Sequence, residues 1–178
     1  MGRVLNPSAA EGGHSEVPSE CMFSVGHAYR RHLPHYQNLG RTYFVTFATK
    51  DRWVLPPKAR DVVLHHILTE HEWRMFLHVA VVMPDHVHFV GTPFPDFPLA
   101  KINKGIKGTS ARKINQLLGR EGVVWQDEPF DHQIRRDESL QEKIEYVCQN
   151  PVRKGLVSAP DEYPWLWRQW AAFGGRTG

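Results

Sequence analysis

The fold is decided by the stretch Met75-Phe-Leu-His-Val-Ala-Val-Val-Met-Pro-Asp-His-Val-His-Phe-Val-Gly-Thr92. Two runs of strand length, the first almost continuously apolar, flank the pair Pro84-Asp85, whose residue types favour a tight turn. This pattern predicts an antiparallel hairpin with its first strand at the centre of a sheet. Because side chains alternate across a strand, His86 and His88 are expected to share one face.

The rest of the chain predicts a strand before the hairpin, an extended segment after it and three helices. We expect a strand at 43–49, a helix at 58–71, a second helix at 99–118, an extended segment at 123–134 and a third helix at 138–149. Asp137 is the expected N-cap of the third helix, and Pro151 is expected to end it. The order β-α-β-β-α-β-α predicts an α+β, ferredoxin-like split βαβ fold, an antiparallel sheet with helices on one face plus an added C-terminal helix.

Length and composition favour one folded domain. The chain has 178 residues, with 41% hydrophobic and 23% charged, as in soluble globular proteins. We expect residues 1–40 to form a flexible arm, 41–172 to form the domain and 173–178 to be a frayed tail. No apolar run approaches the roughly 20 residues that cross a bilayer, and no signal peptide precedes the domain, so we expect a cytosolic protein. Cys21 and Cys148 form no Cys-x-x-Cys pair, which argues against a disulfide framework or cysteine zinc site.

The positive charge permits a polyanionic partner without requiring one. The formal net charge is +3 and the pI is near 9.0. Basic side chains cluster on the second helix and around the third: Lys101, Lys104, Lys107, Arg112, Lys113, Arg135, Arg136, Arg153 and Lys154. Such runs form either a solvated helix face or a set of phosphate contacts. Trp165, Trp167 and Trp170 either pack under the last helix or stack on unpaired bases.

Four residues are candidates for chemistry. His86 and His88, side by side on a strand, make half of a divalent metal site, although eleven histidines make a chance pair possible. Tyr146 and Asn150 are four positions apart on the third helix and therefore lie on the same side of it. The phenol could be a nucleophile activated by a nearby cation, or an ordinary half-buried packing residue.

Three ordered blocks, Val81–Val90, Val124–Asp137 and Ile144–Val157, resemble the single-tyrosine transposases of the His-hydrophobe-His superfamily. Within this superfamily the chain is most similar to the REP-associated tyrosine transposases, over about residues 41–170. The resemblance implies a metal-dependent nuclease that cleaves and rejoins single-stranded, hairpin-forming DNA through a 5′-phosphotyrosine intermediate. It also favours phosphate contact as the role of the basic residues.

Carried over to this chain, the resemblance implies that Tyr146 is the nucleophile and that His86, His88 and Asn150 bind the metal, either Mg²⁺ or Mn²⁺. It leaves open whether the protein is a monomer or a homodimer. Asp85 stands where many relatives carry Asn and adds negative charge beside the first histidine. The alternative function is that of a domesticated regulator that binds hairpin DNA without cutting it.

Overall fold

The computed structural model describes residues 40–127, 129–135 and 139–169. The expected arm apart from Gly40, together with Arg136, Asp137 and everything from Trp170 onward, lies outside the described residues. No helix in the described part of the chain is long and apolar enough to cross a membrane.

The expected α+β fold is confirmed. In chain order the elements are β1 (Tyr43–Ala48), α1 (Pro57–Leu68), β2 (Met75–Val82), β3 (His86–Pro93), α2 (Leu99–Leu118), β4 (Phe130–Gln133), α3 (Leu140–Arg153) and β5 (Leu166–Arg168). The sheet has the order β4-β1-β3-β2-β5, and every neighbouring pair is antiparallel. The first four strands have the split βαβ arrangement that the sequence predicts.

The helices form layers on both faces of the sheet. Apolar side chains of α1 and α2, such as Val63 and Ile106, pack with Phe89 into one core. Ile144 and Val147 of α3 pack on the other face with Val90 and with side chains of β2. The added helix therefore lies across the sheet from α1 and α2.

One irregularity in β2 changes which of its residues face each helix layer. Its pairing with β3 shifts at His78, so that Leu77 opposes Gly91 and Val79 opposes Val90. Such a bulge inserts one extra residue and changes which positions face which side. Met75 and Leu77 before the bulge, and Ala80 after it, therefore all pack in the α1/α2 core, while Val79 lies in the α3 core.

Several expected boundaries are wrong. The helix expected at 58–71 ends at Leu68, and β5 was not expected because its three residues belong to an aromatic tail without alternation. The hydroxyl of Ser139 accepts a hydrogen bond from the Glu142 amide at 3.2 Å and caps α3.

Pro151 lies inside α3 instead of ending it. A proline cannot donate a helix hydrogen bond, but here only a single turn remains beyond it. That turn is closed by hydrogen bonds from the Lys154 amide to the Asn150 carbonyl and from the Leu156 amide to the Pro151 carbonyl. Burial of Val147 and Cys148 in the core holds the preceding turns.

Candidate active site

His86 and His88 lie at the start of β3 with their ring centroids 4.7 Å apart and their planes at 74°. Val87 and Phe89 are buried in the core on the other side of the sheet. The alternation expected from the sequence is thus confirmed, and both imidazoles lie on the face covered by α3.

His88 is held by β1. Thr46 stands directly opposite it, with Oγ1 2.7 Å from His88 Nδ1, and Phe44 stacks on the imidazole at 5.4 Å. The residue is only 7% exposed. Burial lowers the pKa of His88 to about 3, with His86 lowering it further and Asp85 opposing, so the ring is neutral at physiological pH.

His86 is held by the turn that precedes it. Its Nδ1 lies 2.6 Å from Oδ1 of Asp85, and Oδ2 of the same carboxylate lies 3.3 Å from the Arg52 guanidinium. Burial acts to raise the pKa of Asp85, but the hydrogen bond and charge of His86, together with Arg52, outweigh it, and the pKa is lowered. The carboxylate is therefore ionised and orients the His86 ring.

The two Nδ1 contacts leave both Nε2 atoms as the ring nitrogens available to a ligand. No hydrogen bond to either Nε2 occurs among the described residues. Metal-binding histidines ordinarily have one ring nitrogen engaged by a neighbouring oxygen, which fixes the other toward the metal. The pair therefore fits as two ligands of a divalent cation. Among the described residues no third His, Cys, Asp or Glu side chain joins them in a group that could hold a metal, so a further ligand must be of another type.

Tyr146 lies across from this pair, on α3. Its ring centroid is 6.1 Å from that of His88, and Phe44 contacts it edge-on at 5.9 Å. The side chain is 41% exposed and borders an open groove of about 390 Å³ along α3. The guanidinium carbon of Arg153 is 5.2 Å from the ring centroid, so a positive charge lies beside an accessible phenol.

Asn150 lies one helical turn beyond Tyr146 and is 7% exposed. Its Nδ2 donates to the carbonyl oxygen of Tyr146 at 2.8 Å. Because a carbonyl can only accept, this contact identifies the other amide atom, Oδ1, as the end available to a ligand. An amide oxygen is a suitable third donor for Mg²⁺ or Mn²⁺ beside two imidazoles.

The structure separates the basic residues into two groups. Arg153 and Lys154 are exposed at the end of α3, and Arg135 is exposed just after β4. The other described members lie on α2, on the opposite face of the sheet: Lys101, Lys104, Lys107, Arg112 and Lys113.

Four of these α2 side chains are exposed, but Lys107 is not free. Its Nζ donates to the carbonyl oxygens of Gln126 and Asp127 at 2.6 and 2.8 Å, and burial lowers its pKa. Its ammonium thus binds the protein's own backbone in this structure.

Of the three C-terminal tryptophans, the two within the described residues, Trp165 and Trp167, pack on protein. Arg60 stacks on Trp165 at 3.7 Å, and the indole nitrogen of Trp165 donates to Asp61. Trp167 packs against the α1/α2 core. Both therefore pack on protein, but Trp165 stacks on α1 and Trp167 lies on the α1/α2 core, so packing under the last helix, as expected from the sequence, is not the arrangement observed.

Sequence reasoning missed three neighbours of the histidines: Phe44, Thr46 and Arg52. The alternation of β1 puts Phe44 and Thr46 on one face, but only the strand register places them beside His88. Arg52 lies in the short helical turn after β1, and nothing in its sequence context indicates that it pairs with Asp85.

Comparison with known proteins identifies the family. The sequence model of the IS200-like transposases matches residues 41–150. An Escherichia coli (strain K12) REP-associated tyrosine transposase is 27% identical over 139 residues, covering 76% of this chain and 79% of the relative. A Haemophilus influenzae protein provisionally given the same name is 28% identical over 94 residues, and the match covers 53% of its length, about half.

Among solved structures, a REP-associated tyrosine transposase bound to a REP hairpin is similar to this chain. The TM-score is 0.59 at 26% identity, over 78% of this chain and 80% of the other. The residues that the family's sequence model matches include β3 with its two histidines and α3 as far as Asn150. The chain therefore belongs to the IS200-like transposase family and resembles the REP-associated tyrosine transposases within it.

Proposed function

We propose that this protein is a metal-dependent single-stranded DNA endonuclease and transposase that uses Tyr146 as its nucleophile. The observation that carries the proposal is that an exposed phenol on α3 lies beside two oriented imidazoles on β3. The ring centroids of Tyr146 and His88 are 6.1 Å apart. A packing tyrosine needs neither exposure nor such neighbours.

The reaction is a transesterification. The Tyr146 oxygen forms a bond to phosphorus, and the bond from phosphorus to the 3′-oxygen breaks. The phenol proton leaves before or during attack, and the released 3′-oxygen gains a proton to become a hydroxyl. Attack by another 3′-hydroxyl reverses the same steps and rejoins DNA, so no external energy source is needed.

His86, His88 and Oδ1 of Asn150 would hold Mg²⁺ or Mn²⁺. When bound, the cation supplies charge that polarises the scissile phosphate. Asp85 and Thr46 keep the two rings oriented through their Nδ1 atoms. Arg153 places a further positive charge where the phosphate and the phenolate oxygen carry negative charge.

The proposed substrate is hairpin DNA with a single-stranded flank. The solved relative that is bound to a REP hairpin supports this choice, as do the exposed basic residues near Tyr146. The protein is proposed to act as a monomer or a homodimer in the cytoplasm.

A covalent adduct tests the proposal against the alternative of a non-cutting regulator. Labelled hairpins with single-stranded flanks are incubated with Mn²⁺ and run on denaturing gels, where the wild type should retain label through a phosphotyrosine bond. Tyr146→Phe removes only the oxygen and should form no adduct. Tyr43→Phe is the matched control, since Tyr43 packs against the core on the other face.

Two results would contradict the proposal. An adduct from Tyr146→Phe would assign the nucleophile to another tyrosine. Tight hairpin binding by the wild type with no adduct on any flank would favour the regulator.

A further inference from the structure

A groove of about 500 Å³ lies between α2 and the segment 122–127, away from Tyr146 and on the opposite side of the sheet. Asn103, Lys104 and Gly108 of α2 contribute to its lining, as does Val123 of the segment. A concave, largely apolar site with a few polar groups is the usual form of a small-ligand pocket.

Two features of this groove are unfavourable for stability. Asn103 is 4% exposed, and its Oδ1 has no hydrogen-bond partner among the described residues. At Gly108 an added Cβ would meet no described atom within 4 Å, so the space above it is open. An unpaired buried amide and a glycine inside a helix both destabilise a protein. Their coincidence at one groove indicates that the amide and the space have a use.

The walls of the groove are fixed by the protein itself. Lys107 holds the segment through the carbonyl oxygens of Gln126 and Asp127, and the Trp125 indole donates to the Ser110 hydroxyl at 3.0 Å. Lys104, at the rim, is exposed and free to contact an anion. The groove thus combines rigid apolar walls, a buried amide and a cation at its edge.

We infer that this groove binds one unpaired nucleobase of single-stranded DNA, with the Asn103 amide on the base edge and Lys104 on the adjoining phosphate. A base has apolar faces, and its edge carries donors and acceptors of the kind that an amide pairs with. The inference rests on the proposed function for its choice of DNA and adds a binding contact remote from Tyr146.

The test measures base preference without cleavage. Labelled single strands about ten nucleotides long, of deoxyadenosine, deoxycytidine or thymidine, are compared with an abasic strand of equal length by fluorescence anisotropy in EDTA. We expect the wild type to bind at least one base-bearing strand about tenfold more tightly than the abasic strand. Gly108→Leu fills the groove and should bind that strand no better than the abasic one.

Two further variants separate the groove from a general effect on α2. Gly105→Ala is the matched control, because it also replaces a helix glycine, but its added Cβ would lie 3.6 Å from the Arg74 guanidinium, outside the groove. It should keep the full preference. Asn103→Leu removes the amide and should lose the preference without a lower melting temperature, since the lost amide oxygen had no partner.

Equal wild-type binding of all strands, or an unchanged preference in Gly108→Leu, would overturn the inference. The second result would also be expected if the groove instead accepts an apolar peptide. Adduct formation by Tyr146 is measured separately and with Mn²⁺, so its absence would count against the proposed function and not against the groove.

Discussion

Oγ1 of Thr46 lies 2.7 Å from Nδ1 of His88, across the directly opposed pair that joins β1 to β3. The contact uses the ring nitrogen nearer the backbone and leaves Nε2 as the one available to a ligand. A threonine hydroxyl on one strand thereby selects the nitrogen that His88 offers to a cation.

Thr46→Val should therefore weaken Mn²⁺ binding by about 10- to 100-fold, because it keeps the shape and removes the oxygen that orients His88. Isothermal titration with Mn²⁺ measures the change. Thr42→Val is the matched control, since Thr42 directly precedes the same strand and its hydroxyl contacts Thr92 at 2.8 Å instead of a histidine of the site. Equal affinity in Thr46→Val and wild type would contradict the orienting role.

Replacing the histidines themselves should separate cutting from binding. His86→Ala and His88→Ala are expected to abolish metal-dependent cleavage and to leave hairpin binding largely intact, because the rings contribute to the cation site and not to phosphate contacts. Gel assays measure cleavage, and fluorescence anisotropy measures binding. His65→Ala, at an exposed position on α1, is the control. Undiminished Mn²⁺ affinity in the double variant would show that the metal site is elsewhere.

The exposed and partnered lysines of α2 should behave differently. Lys104→Ala is expected to reduce the slope of log affinity against log salt for hairpin DNA by about one, as for the loss of one phosphate contact. Lys107→Ala should change the slope less, because its Nζ is bound to the carbonyl oxygens of Gln126 and Asp127. A salt titration of both variants decides this. Equal slopes for Lys104→Ala and wild type would show that this face of α2 contacts solvent and not DNA phosphates.

Stability should fall as the pH drops because His78 is neutral in the folded protein. Its Nε2 lies 2.9 Å from the Thr92 hydroxyl, and burial, assisted by His71, lowers its pKa from 6.5 to about 4. The unfolded chain gains a proton below about pH 6.5 that the folded chain gains only near pH 4. This difference between the two pKa values corresponds to about 3 kcal/mol of unfolding free energy. That contribution is fully present above pH 6.5 and is lost as the pH falls to about 4.

Urea unfolding at pH 7 and pH 4 measures this loss in the wild type and in His78→Gln, which cannot titrate. The variant should lose less stability on acidification than the wild type. The loss that remains should be the part due to His88. If both proteins lose the same amount, His78 does not control the pH dependence.

The predictable parts of this molecule are those set by local pattern. Alternation places His86 and His88 on one face, and helical spacing places Tyr146 and Asn150 on one side of α3. These relationships need only a few neighbouring residues. The hairpin is equally local, since Pro84-Asp85 joins two apolar runs.

What the sequence did not predict depends on contacts between distant segments. The partner of His88 depends on the register of β1, and the partner of Asp85 depends on a turn about thirty residues earlier in the chain. The third helix follows the last strand of the split βαβ unit and does not connect two parallel strands. The handedness rule for crossover connections therefore does not apply, and core packing sets the face of the sheet on which this helix lies. For the same reason no spacing rule indicated that the α2 lysines and Tyr146 lie on opposite faces.

The bulge at His78 makes the residue count of β2 as important as its composition. Deleting that single position would make Leu77 and Val79 neighbours in a regular strand and keep them on opposite faces, whereas deleting a residue after the bulge would turn the residues beyond it toward the wrong helix layer. Insertions or deletions elsewhere in this strand should therefore be tolerated far less well than substitution or loss of the bulge residue itself. In evolution, the helix that carries Tyr146 is tied to the length of a strand that contributes no residue to the chemistry.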